Sequence, residues 1–201
     1  QPNLARSLHV DRRGRLWLGS TEGVVQVLDP RSGQRQVIHL PAPLDRTDVV
    51  AIAEDGQGQI WVASNGVAVL DPDTLAVRGG GALPQVPVQR YLALVAQGER
   101  VWVGGREGIL ELDRSGRLLR RMDDDRQGLR SNRVLSLAVD GAHLWVGTGE
   151  GLHRLTLETW QARHIPVGSA QADLPVNRYI AGLSAGQGQV HVGTLEGVSS
   201  G

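Results

Sequence analysis

The sequence contains no cysteine and no phenylalanine, and it has one methionine among 201 residues. Without cysteine, a disulfide framework, thiolate chemistry and a cysteine–histidine zinc site are excluded. Lysine is absent too, so arginine supplies all 21 cations, and 21 acidic residues balance them to a formal charge of zero. Because a dedicated nucleic-acid binder carries a strong basic excess, this balance argues against nucleic acid as a partner.

Long apolar runs are also missing. No run approaches the roughly 20 residues that a membrane helix needs, so no membrane contact is expected within this segment. The first residues, Gln1-Pro2-Asn3, lack the basic region and apolar stretch of a signal peptide, so we expect any such segment to be absent or already removed. The six histidines show no metal-ligand spacing, and the acidic run Asp123-Asp124-Asp125 lacks the spacing of a calcium loop. We expect no metal and no cofactor.

What is present is a repeat. Four segments align on Trp17, Trp61, Trp102 and Trp145, and a fifth places His191 where the tryptophan would stand. The intervals are 44, 41, 43 and 46 residues. Periods of this length with a recurring glycine and tryptophan pattern are typical of four-stranded propeller blades. The sequence therefore predicts an all-β fold.

Each repeat divides into four short strands. The tryptophan strand, such as Leu16-Trp17-Leu18, has consecutive apolar residues, so both of its faces must be covered. A blade between two neighbours meets this condition, and we expect Trp17, Trp61, Trp102 and Trp145 to be structural core residues. The prediction is a single β-propeller domain over 1–201 with antiparallel blades near 6–40, 48–83, 90–122, 133–167 and 178–201. The last blade is incomplete, giving about 4.5 blades, which suggests part of a larger ring or self-association through open blade edges.

The ordered motifs resemble the two-component regulator propeller repeat. The fourth repeat carries Gly128-Leu129-Arg130-Ser131-Asn132-Arg133-Val134, then Leu144-Trp145-Val146-Gly147-Thr148 and Gly151-Leu152. Asp-Pro turns follow in the first two repeats at Asp29-Pro30 and Asp71-Pro72. Departures from the pattern are Gln97 in place of aspartate and His191 in place of tryptophan.

The resemblance implies a periplasmic, ligand-sensing region of a bacterial signal-transduction protein. In that family the output domain is a hybrid histidine kinase or a diguanylate cyclase, and neither motif set is present in this chain. The resemblance thus implies a module without catalysis of its own, and no catalytic residue is assigned. Two alternatives stay open: a propeller enzyme, such as a lyase or glycosidase acting at the channel mouth, and a protein-interaction scaffold.

Candidate binding residues lie in the loops between blades, which propellers place on one face with the turns between the second and third strands. Recurring arginines there offer forks of donors for a carboxylate or sulfate group, and tyrosine beside them offers a ring on which a sugar can stack. We predict an anionic small molecule or saccharide as ligand. The alternative is that these are solvated loop residues paired with neighbouring acids. The candidates are Arg46, Arg90, Tyr91, Arg130, Asn132, Arg133, Asn177, Arg178 and Tyr179.

Overall fold

The chain folds into antiparallel β-sheets that follow one another along the sequence. The computed structural model describes residues 4–123, 127–166, 179–186, 189–194 and 197–200. These residues form five sheets and one short 3-10 turn, so the all-β prediction is confirmed. Asn177, Arg178, Asp124 and Asp125, singled out above, lie outside the described residues.

The first two sheets occupy residues 7–70. The first contains β1 (Ser7–Val10), β2 (Leu16–Gly19), β3 (Val24–Leu28) and β4 (Arg35–His39) in that spatial order. The second contains β5 (Ala51–Glu54), β6 (Ile60–Ala63) and β7 (Val67–Leu70).

Three further sheets follow. The third contains β8 (Tyr91–Gln97), β9 (Arg100–Gly105), β10 (Gly108–Asp113) and β11 (Leu118–Met122). The fourth contains β12 (Val134–Asp140), β13 (His143–Thr148), β14 (Gly151–Thr156) and β15 (Gln161–Ile165). The fifth contains β16 (Ile180–Gly186), β17 (Gln189–Thr194) and β18 (Gly197–Ser200).

The second sheet differs from the predicted four strands. Its fourth strand is reduced to a single bridge between Leu70 and Val77, and the 3-10 turn Arg78–Gly80 follows. The sequence after Val77 has three consecutive glycines, which add backbone entropy and offer no side chains to pack on a sheet. A regular outer strand is therefore lost at this blade.

A hydrogen-bonded turn fixes the tryptophan strand in the first two sheets. The Asp11 carboxylate accepts the backbone N–H groups of Arg13 (3.0 Å) and Arg15 (2.9 Å) and the indole N–H of Trp17 (2.9 Å). Burial alone would raise the pKa of the Asp11 carboxyl, but the hydrogen bonds from Trp17 and Arg15 hold that pKa below its ordinary value. Asp55 repeats the arrangement with Trp61 at 2.9 Å. The Asp-x-x-Gly-x-x-Trp pattern is thus one structural unit.

The later tryptophans depart from this arrangement. Trp102 is 2% exposed, but its indole N–H has no hydrogen-bond partner within the described ranges. Trp145 is only partly buried and lies under the guanidinium of Arg154, 5.9 Å from the ring centre. Trp17 and Trp61 are completely buried. The predicted core position therefore holds fully for three of the four repeats.

Contacts divide the chain into two compact units. The first comprises Gln1–Val103 with Glu111–Leu119, and the second comprises Gly104–Leu110 with Arg120–Gly201. The core of the first unit packs Trp17, Val25 and Ile38 of the first sheet against Ile60 and Leu70 of the second. In the second unit Leu152 packs with Ile180, Val190 and Val192.

Candidate functional site

A cavity of about 370 Å³ lies in the first unit. Three segments form it: the loop between β4 and β5, the turn between β6 and β7, and the residues that lead into β8. We call it the arginine cavity, and its polar lining is Arg46, Thr47, Asp48, Ser64, Asn65 and Arg90. The predicted site residues Arg46, Arg90 and Tyr91 are brought together here.

Backbone hydrogen bonds hold these segments in place. The carbonyl of Thr47 accepts the N–H of Gly23 at 2.8 Å, and the carbonyl of Ser64 accepts the N–H of Tyr91 at 3.0 Å. The hydroxyls of Thr47 and Ser64 are hydrogen-bonded to each other. The loop from the first blade is thereby joined to the turn of the second, so the floor of the cavity is built from fixed backbone.

Two arginines at this cavity have few interactions with the rest of the protein. The Arg46 side chain is 91% exposed, and its Nε lies 4.0 Å from the nearer Asp45 oxygen, beyond hydrogen-bond distance. Arg90 is exposed and forms no ion pair with a carboxylate in the described part of the chain. Both guanidinium groups therefore keep their donors for another anion.

The acidic group of the cavity is already paired. Asp48 Oδ2 lies 3.0 Å from Arg6 Nε, where Arg6 comes just before β1. Because this pair neutralises the carboxylate, Arg46 and Arg90 dominate the charge of the cavity.

Tyr91 takes a different place from the one predicted. Its side chain is completely buried, and its hydroxyl donates to the carbonyl of Pro87 at 2.9 Å. A ring with no exposed face cannot stack on a sugar, so the predicted stacking role of Tyr91 is wrong. Its first-strand position places it in the packed interior, where it supports the cavity wall.

The second unit holds three other predicted residues: Arg130, Asn132 and Arg133. All three are exposed and lie in the loop before β12. The Asn132 side-chain amide donates to the backbone carbonyl of Asp123, and the backbone carbonyl of Asn132 accepts the N–H of Gly108 at 2.8 Å. Asn132 therefore connects backbone segments. Tyr179 directly precedes β16 and is partly buried.

A buried histidine beneath this loop was not predicted. The side chain of His153 is completely buried, and its Nε2 accepts the backbone N–H of Arg130 at 3.3 Å. Its ring meets that of His164 edge to face, with centroids 5.3 Å apart. Burial is the main cause that lowers the pKa of His153 to about 4, and the neighbouring His164 and Arg130 contribute to the same shift. The imidazole is therefore neutral near pH 7 and acts as a hydrogen-bond acceptor.

Ser64 and Asn65, whose polar side chains line the cavity, were not among the predicted site residues. They lie between Trp61 and Gly66, a spacing of five residues where the other three tryptophan repeats have six, and that irregularity is the signal that marks them. Within the described ranges, no group of three or more histidine, aspartate or glutamate residues is placed to hold a metal ion. The same ranges contain no helix with the length and apolar character needed to cross a membrane.

Comparison with known families identifies the repeat. Residues 43–66 match the family described as two component regulator propeller. This segment contains Arg46, Thr47, Asp48, Ser64 and Asn65 of the arginine cavity. The family resemblance predicted from the sequence is confirmed. No curated protein matches the chain.

Two solved structures from B. thetaiotaomicron have a similar fold. One is the extracellular domain of BT4673, assigned as a one component system, with 22% identity and a TM-score of 0.76 over 99% of this chain. The other is the extracellular domain of BT3049, assigned as a hybrid two component system, with 20% identity and a TM-score of 0.71 over 100% of this chain. This chain spans 27% and 28% of their lengths. The predicted β-propeller fold is confirmed.

Proposed function

We propose that this chain is a non-catalytic, extracytoplasmic ligand-sensing module of a bacterial signal-transduction protein, with a periplasmic location. The regulator propeller repeat at residues 43–66 and the likeness in fold to extracellular domains of one- and two-component systems support the proposal. The ligand site is the arginine cavity. Its ligand is an anionic small molecule or an acidic saccharide.

One observation supports the binding site: Arg46 and Arg90 line a single cavity, and within the described residues neither guanidinium has a carboxylate at hydrogen-bond distance, since Asp45 lies 4.0 Å from Arg46 Nε. Paired guanidinium groups favour carboxylate and sulfate, because their N–H donors match two oxygens of one anion. Hydroxyl and amide groups from Thr47, Ser64 and Asn65 add hydrogen-bonding capacity of the kind that a sugar uses.

Isothermal titration calorimetry with D-glucuronate, sulfate and neutral D-glucose tests this site. We expect saturable binding of glucuronate or sulfate and none of glucose. The double variant Arg46→Gln/Arg90→Gln should lose at least about 10-fold in affinity, since each charged hydrogen bond contributes on the order of 1.5 kcal/mol or more. Arg31→Gln is the matched control, because Arg31 is an exposed arginine in the β3–β4 turn, outside the cavity. Equal binding by the double variant, or no binding by the natural chain, would contradict the proposal.

The non-catalytic part has its own test. After long incubation of the chain with acidic oligosaccharides, chromatography should recover them unchanged. Cleavage products that vanish in a variant of the cavity would favour the propeller enzyme instead. Self-association through open blade edges stays a prediction, and sedimentation velocity over a range of concentrations tests it.

A further inference from the structure

We propose that Arg6 is a positioning residue of the arginine cavity: it holds the Asp48 carboxylate away from Arg46 and Arg90 and so keeps the cavity receptive to anions. This inference rests on the proposed function, because it concerns regulation of the same site. Arg6 itself is not among the residues that line the cavity.

Backbone hydrogen bonds fix the main chain at both residues of the Arg6–Asp48 ion pair. The N–H of Arg6 donates to the carbonyl of Gly19 at 2.7 Å, which attaches Arg6 to the end of β2. On the other side, the neighbours of Asp48 are fixed, since Thr47 accepts the N–H of Gly23 and Val49 donates to the carbonyl of Ser20 at 2.9 Å. The Asp48 main chain therefore cannot shift freely, and only its side chain can change direction.

Among the described residues, Asp48 is the one acidic residue that lines the cavity. A carboxylate and a guanidinium group form strong, directional hydrogen bonds. Without Arg6, the Asp48 carboxylate would turn to Arg46 or Arg90, which have no carboxylate at hydrogen-bond distance among the residues that the structure describes. The protein's own carboxylate would then occupy donors that the ligand needs. Arg6 prevents this competition by pairing with Asp48 at 3.0 Å.

The expected effect is modest. The Arg6 and Asp48 side chains are 46% and 33% exposed, so water weakens their interaction, and such pairs contribute at most about 1 kcal/mol, which is about five-fold in an equilibrium constant. Redirecting Asp48 should therefore weaken anion binding by about two- to five-fold.

Titration calorimetry of D-glucuronate with four variants tests the inference. Arg6→Gln should bind about two- to five-fold more weakly than the natural chain. Asp48→Asn alone should bind at least as tightly, and Arg6→Gln/Asp48→Asn should regain natural affinity. Arg6→Gln/Glu158→Gln is the matched control, because it restores the same net charge at an exposed acid of the second unit and should not regain affinity.

The outcomes distinguish a failure of the proposed function from a failure of the role assigned to Arg6. If the natural chain binds neither glucuronate nor sulfate, the proposed function is wrong and this inference falls with it. If the natural chain binds and Arg6→Gln binds equally well, only the role of Arg6 is wrong. Were the pair merely structural, Asp48→Asn would weaken binding as much as Arg6→Gln does, and that result would also overturn the inference. Thermal unfolding of each variant confirms that it is folded before titration.

Discussion

At the scale of single residues, the indole nitrogens divide the tryptophans into two groups. Trp17 and Trp61 donate to buried carboxylates, whereas the indole N–H of Trp102 has no partner among the described residues. The third repeat has Gln97 near the position of the aspartate and a shorter turn, so it lacks the aspartate that accepts the indole N–H in the first two repeats. The position of each tryptophan in the repeat predicts that its ring is buried. Whether its indole N–H has an acceptor depends on the length of the turn before the tryptophan strand.

This difference predicts unequal costs for the same substitution. Trp61→Phe removes a hydrogen bond and leaves the buried Asp55 carboxylate short of a donor, which costs about 1–3 kcal/mol in addition to the lost volume. Trp102→Phe removes a buried donor that has no acceptor among the described residues, so only the lost volume destabilises this variant. Urea unfolding should show Trp61→Phe to be the more destabilised variant. Equal losses, or a larger loss for Trp102→Phe, would contradict the hydrogen-bond account.

The buried His153 predicts how stability depends on pH. The folded pKa is about 4 and the ordinary value is 6.5, so the unfolded chain binds more protons between these two pH values. The free energy of unfolding should therefore fall as the pH drops from about 6.5 towards 4, by about 2 kcal/mol from pH 7 to pH 5.

His153→Gln should remove most of this contribution, because glutamine keeps an acceptor but does not titrate. Glutamine is accommodated at the equivalent strand position of the first sheet, where Gln26 is 6% exposed. His191→Gln, at an exposed position, serves as the control. Denaturant unfolding at pH 5 and pH 7 measures the difference. The same acid sensitivity in the natural chain and in His153→Gln would show that His153 is not its source.

At the scale of elements, the turns join one blade to the next through close backbone contacts. Gly108 at the start of β10 has φ +91° and donates its N–H to the carbonyl of Asn132. A Cβ on Gly108 would lie 1.8 Å from the carbonyl oxygen of Met122. Glycine is required at this position both for its backbone conformation and for space.

Gly108→Ala should therefore destabilise the chain strongly. Gly141→Ala is a matched control, because Gly141 also has positive φ (+56°) but a Cβ there would meet no atom within 4 Å. Backbone strain alone costs about 1 kcal/mol, and displacement of the Met122 segment adds roughly 1–3 kcal/mol for Gly108→Ala only. Chemical denaturation measures both variants. If both variants lost the same free energy of unfolding, the prediction would be wrong, because the Met122 segment would then move aside at no cost in free energy.

The strands themselves follow closely from the repeat. The third and fourth sheets begin at Tyr91 and Val134, 43 residues apart, which is also the interval between Trp102 and Trp145, so the tryptophan register reflects the spacing of the blades. The missing fourth strand of the second blade does not follow from the register. It depends on whether the glycine-rich segment after Val77 forms a strand or a turn. Contacts with the rest of the protein decide between these two conformations.

At the scale of the whole molecule, charge is distributed so that a neutral chain presents a local cationic site. The formal net charge is zero, yet two arginines of the arginine cavity have no carboxylate at hydrogen-bond distance in the described part of the chain. The sequence predicted Arg46 and Arg90 as site residues because they recur in loops between blades. The participation of Ser64 and Asn65, and the pairing of Asp48 with Arg6, depend on how two blades pack, which no local pattern specifies.

The most direct measurement is a ¹⁵N–¹H NMR titration of the chain with D-glucuronate. The account predicts that the backbone amides of Arg46, Thr47, Asn65 and Arg90, with the Nε–Hε groups of Arg46 and Arg90, shift together and saturate with one dissociation constant. The signals of Arg31 should stay in place. Shifts confined to Arg130 and Arg133, or no saturable shift at any arginine, would contradict the assignment of the ligand site to the arginine cavity.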